Sequence, residues 1–75
     1  MTEEDIQSEL ARDPFIPFRL HLVSGKTVDI RISDGAWMLR RSVFVLHPHR
    51  HPGDDPGYDV ISLRNIERIE QLDGR

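Results

Sequence analysis

Seventy-five residues with no cysteine and a net charge of −3 allow one domain and exclude a disulfide scaffold. A chain this short buries only about 60–65% of the surface its unfolded form exposes, so a bound partner, self-association or unusually good packing is required. No run approaches the length of a membrane span, and the acidic start Met1-Thr-Glu-Glu-Asp5 is the reverse of a basic secretory leader, so a cytoplasmic protein is expected.

In chain order, Thr2 is placed to cap a helix whose first turn holds Glu3, Glu4 and Asp5, where the helix dipole favours acids. Ile6 and Leu10 fall four apart on one face, and Asp13-Pro14 stops the helix, which gives residues 3–12. Alone such a helix would melt, so its Ile6/Leu10 edge must dock on the rest of the fold or on a neighbour. Phe15-Ile-Pro-Phe18 is an extended lead-in stiffened by proline.

Two apolar-alternating runs follow, over residues 18–23 and 26–33. A loop of Val23, Ser24 and a left-handed Gly25 pairs Leu22 with Lys26, Leu20 with Val28 and Phe18 with Ile30. The other face of this hairpin then opposes Arg19 to Asp29 and His21 to Thr27. A two-residue loop would oppose Leu20 to Asp29 and mix the core and solvent faces.

Ser33-Asp34-Gly35 marks a turn, and residues 36–40 read as a helical turn or irregular loop laid across one end of the sheet. The run Ser42-Val-Phe-Val-Leu46, within a strand over 42–47, is apolar on both faces, as in a central strand covered on both sides. Residues 47–57 hold three prolines, two glycines and three histidines and read as a loop. A strand over 58–63, a 3₁₀ turn at Leu63 to Ile66 and a closing strand over 66–72 complete the chain.

The expected fold class is mainly β (α+β): a short N-terminal helix, then a five-stranded, strongly bent antiparallel sheet or small barrel. Its core should hold Phe18, Leu20, Leu22, Val28, Ile30, Val43 or Phe44, Val45 or Leu46, Ile61, Leu63, Ile66 and Ile69.

A helix followed by five strands, with the turn Leu22-Val-Ser-Gly25-Lys26 and the late segment Ile61-Ser-Leu-Arg64-Asn65-Ile66, resembles the Sm-like and wider SH3-like small barrels. The resemblance implies a small barrel and, in the Sm case, RNA binding. It meets the Asp of the Sm base-holding loop in Asp34, whereas Ala36-Trp37-Met38 supplies no Asn, and Arg64-Asn65 stands for the family's Arg-Gly. The segment Pro17-Phe-Arg-Leu-His-Leu22 with Gly25-Lys26 also resembles a group of small bacterial proteins without an assigned activity.

Charge is segregated along the chain. Residues 1–18 carry a net −4, residues 19–50 a net +4 and residues 51–75 a net −3. Acidic ends folded over a basic middle are the simpler reading, and a basic patch meeting an acidic partner the sharper one. Lys26, Trp37, Arg40 and Arg41 are the candidates for nucleic-acid contact, by phosphate pairing and base stacking. The opposing reading has Trp37, Met38 and Leu39 plugging one end of the barrel while the arginines pair with the acidic helix or tail.

His47, His49 and His51, with Asp54 or Asp55, are the metal-ligand residue types, but no recognised spacing is matched. Asp54, Asp55 and Asp59 lack the spacing of a calcium loop. No nucleophile elbow, catalytic cysteine or glycine-rich phosphate loop is present, so neither an enzyme nor a cofactor is expected. The expected role is a non-enzymatic module that associates with itself or another protein through a strand edge or the helix face, with Sm-like RNA binding as the alternative.

Overall fold

The computed structural model describes residues 1–47 and 57–72. Helix α1 (Glu3–Leu10) precedes six strands: β1 (Phe18–Leu22), β2 (Thr27–Ile30), β3 (Ala36–Leu39), β4 (Ser42–His47), β5 (Gly57–Ser62) and β6 (Ile66–Gln71). Single 3₁₀ turns cover Ser33–Gly35 and Leu63–Asn65. The strands make two three-stranded antiparallel sheets, ordered β2-β1-β6 and β3-β4-β5, which do not close into a barrel.

The first hairpin has the register that turn chemistry predicts. Phe18 opposes Ile30, Arg19 opposes Asp29, Leu20 opposes Val28 and His21 opposes Thr27. Gly25 sits at φ 94°, and the Leu22 amide donates to the Lys26 carbonyl at 2.9 Å. Only glycine enters this backbone region without strain, which is why the turn closes at this residue.

The strand count differs from expectation. Residues 36–40, expected as a helical turn or loop, contain β3, whose Ala36 opposes Val45 and whose Leu39 opposes Ser42. The strand expected over 26–33 ends at Ile30, because Ser33–Gly35 winds into a 3₁₀ turn, with the Gly35 amide on the Ile32 carbonyl at 3.0 Å. That turn carries the chain from the first sheet to the second, where β3, outside the five expected strands, makes the sixth among the described residues.

The two sheets face each other across the core. Phe18, Leu20 and Ile30 from the first meet Ala36, Val43, Val45 and Ile61 from the second, with Leu63 and Ile66 between them. Leu22, Val28 and Ile69, expected inside, are half-buried against this cluster. Helix α1 carries a capping box: the Asp5 amide donates to Thr2 Oγ1 at 3.2 Å and the Thr2 amide to the Asp5 carboxylate at 3.0 Å. The helix ends earlier than expected, with Ala11 as its C-cap, and packs on β3 with Ile6 fully buried. Its apolar edge is thus used inside the chain and is not free for a neighbour.

The 3₁₀ turn at Leu63–Asn65 ties the sheets together. The Leu63 amide donates to the Arg41 carbonyl at 2.8 Å, and the Val23 amide to the Asn65 carbonyl at 2.9 Å. No helix among the described residues is long and apolar enough to cross a membrane.

Candidate interaction face

The outward faces of the two sheets have opposite chemistry. On the first, Arg19 forks onto Asp29 at 2.7 and 3.1 Å, Arg31 reaches the same carboxylate at 3.2 Å, and His21 meets Glu70 at 2.8 Å. The Arg19 hydrogen bond holds the Asp29 carboxyl below its usual range, and the His21 hydrogen bond does the same for Glu70. These side chains partner one another across the three strands.

The second sheet presents an outward face without charge. Alternation along β3, β4 and β5 turns Ala36, Val43, Val45 and Ile61 inward. It therefore turns Trp37, Leu39, Phe44, Leu46, Tyr58 and Val60 outward, with Ser42 and Ser62 at one end. Three rings stack across the strands. Trp37 lies directly opposite Phe44, with centroids 5.0 Å apart and planes 17° from parallel. Phe44 stacks on the diagonal neighbour Tyr58 at 4.7 Å and 9°. Tyr58 is 61% exposed, Val60 57%, Leu39 48%, Leu46 46% and Trp37 42%. Together these side chains leave on the order of 500 Å² of apolar surface in water, the size at which a patch on a small protein is commonly functional.

The expectation that β4 is central holds, since it pairs with both β3 and β5. Its expected double coverage does not: Val43 and Val45 are buried, whereas Leu46 is 46% exposed and Phe44 is half-buried between the rings of Trp37 and Tyr58. Nor do Trp37 and Leu39 plug the end of a barrel; both point away from the core, and of that run only Met38 packs inward.

The four nucleic-acid candidates are only partly brought together. Trp37 is on the ladder, while Arg40 and Arg41 form the β3–β4 turn at the end of the same face. Arg40 sits at φ 56°, a region that favours glycine. Neither arginine forms an ion pair with a carboxylate of α1. Arg41 lines a cleft with Ser42, Ser62, Arg64 and Glu3, so Arg64 is a cationic neighbour that residue spacing did not single out. Lys26 is elsewhere, at the hairpin tip, in a second cleft with Leu22, Val28, Asp59 and Ile61.

Of the metal candidates, His47 ends β4, whereas His49, His51, Asp54 and Asp55 lie outside the described residues. Among the described residues no group of three or more histidines and carboxylates converges on one point. Asp59 is on β5 opposite Val45.

Phe44, Leu46, Tyr58 and Val60 also belong to this face, although their spacing in the sequence points to strands and not to a surface. Their signal was present as apolar residues on both parities of neighbouring runs. No protein-family model, no curated protein and no solved structure matches this chain. Chemically, the ladder can exclude water and stack on a planar or apolar partner.

Proposed function

We propose that this chain is a non-enzymatic, cytoplasmic interaction module of the Sm-like or SH3-like small-barrel kind, opened where β2 gives way to β3. It works by docking a protein chain on the outward face of its second sheet. The observation that carries this reading is the uncharged Trp37–Phe44–Tyr58 ladder, set against a first sheet whose outward face is charged and internally paired. A surface that served only solubility would carry the lysines and glutamates that solvated strands ordinarily show.

A docking face is dispensable for its own fold. The triple variant Leu46→Thr, Tyr58→Thr, Val60→Thr keeps strand propensity while removing apolar area. It is expected to stay folded by circular dichroism and to lose retention on a phenyl-substituted resin at high salt. Unfolding of the variant, or retention equal to the parent's, would overturn the reading.

A second reading is favoured by one observation. Arg40 and Arg41 close the end of the ladder that carries Trp37, with Arg64 beside Arg41, a combination that suits single-stranded nucleic acid. Under that reading, retention on immobilised single-stranded RNA falls steeply with salt and is lost in Arg41→Ser, Arg64→Ser. Absence of retention at low salt sinks it.

A further inference from the structure

We infer that the occupant of the ladder face is a second copy of this chain, packed face to face about a twofold axis. The inference rests on the reading of that face as a docking surface and names what docks there.

Three observations select a second copy. The first is charge: none of the outward side chains of β3, β4 and β5 is ionised, so the face needs a partner patch that is equally uncharged. Among the described sheet faces of this chain only the ladder itself qualifies, because the other outward face carries Arg19, Asp29, Arg31 and Glu70. A surface complementary to itself is what a twofold contact uses, since each residue meets the same patch on its partner.

The second is area. On the order of 500 Å² from each copy gives about 1,000 Å² in the pair, the lower bound for a specific interface. A contact of that size belongs with the small, transient interfaces, so a dimer that dissociates on dilution is expected. The third is geometry. The rings lie in a row across three strands of a regularly paired sheet, and two such faces pack about 10 Å apart as the halves of a β-sandwich. The dimer then has four sheets in a stack, with the charged faces outermost and the stacked rings in the middle. Aromatic residues concentrated at the centre and charges displaced to the periphery are the arrangement that protein interfaces favour.

The test is the mass of the intact chain in solution, measured by sedimentation equilibrium up to about 0.5 mM, a range that covers weak dimers. The expected result is a reversible rise from the 8.7 kDa monomer to twice that mass. Over the same range the emission of Trp37, the chain's single tryptophan, should shift to the blue as its exposed ring is covered. Tyr58→Asp places a carboxylate on each side of the contact and should weaken the dimer at least tenfold. Val60→Lys does the same with the opposite charge, and so separates loss of association from misfolding of either variant. A chain that remains monomeric throughout overturns the inference. So does a dimer that both variants leave intact, which would place the contact on a strand edge, and so does a monomer whose Trp37 emission is quenched by a single-stranded oligonucleotide. If the wild type is monomeric but the threonine variant still loses its retention on phenyl resin, the face docks a different protein. If retention is unchanged as well, the docking reading falls with it.

Discussion

Two backbone positions with positive φ show how a single residue tunes this fold, because one is held by glycine and the other by arginine. A Cβ added at Gly25 would meet nothing within 4 Å, so the cost of Gly25→Ala comes from the φ of 94° itself. That cost is about 1 kcal/mol, read as a lower urea midpoint. Arg40, at φ 56°, stores comparable strain in the β3–β4 turn, and Arg40→Gly should raise the stability by about 0.5 kcal/mol once glycine's greater unfolded entropy is counted, read as a higher urea midpoint. Asp29 adds a pH dependence with a definite sign. Folding lowers its carboxyl below the ordinary 3.8, since Arg19 donates two hydrogen bonds to it. The stability this confers is present above the unfolded value and is lost as pH falls through the lowered folded value, where both states are protonated. Asp29→Asn should therefore lower the stability at about pH 7 by less than about 1 kcal/mol, because the pair is partly solvated, read as a lower urea midpoint. The two proteins should converge at about pH 2; a difference that persists there would assign the effect to packing of the side chain.

At the scale of elements, α1 depends on both its cap and its single anchor. Thr2→Ala removes the capping box and should cost about 1 kcal/mol, whereas Ile6→Ala opens a cavity against β3 and should cost about 3 kcal/mol. Loss of helical circular dichroism before loss of the strand signal in Ile6→Ala would show that the helix docks after the sheets are formed. A single coincident transition would show that it belongs to the core. Elements were legible in the sequence where one face is apolar and the other is not. The first hairpin was readable to the residue, because Phe18, Leu20 and Leu22 alternate with Arg19 and His21, and Gly25 admits one turn. Strand β3 was not. Ala36, Trp37, Met38 and Leu39 are all apolar, so the alternation that marks a strand is absent from the letters even though Ala36 is buried and Trp37 is exposed. The same blindness made β4 read as covered on both sides. The feature that hides these strands, an outward face as apolar as the inward one, is the candidate site itself.

At the scale of the whole molecule, the sandwich is lopsided: a charged face satisfied within the chain on one side, and an uncharged aromatic face on the other. A domain of this size has little stability to spare, and covering the aromatic face adds burial that the isolated chain cannot supply. Association is then coupled to folding, since the dimer withdraws folded monomer from its equilibrium with the unfolded chain, and above the dissociation constant mass action makes the apparent stability depend on concentration. Each tenfold increase in protein should add about 1.4 kcal/mol per mole of dimer, seen as a urea midpoint that moves upward with concentration. Tyr58→Asp should abolish that movement while leaving the midpoint at low concentration close to the parent's, because Tyr58 contributes mainly exposed surface to the monomer. Coincident midpoints for the wild type across two decades of concentration would mean that the small core suffices alone. The ladder would then be held open for a different protein.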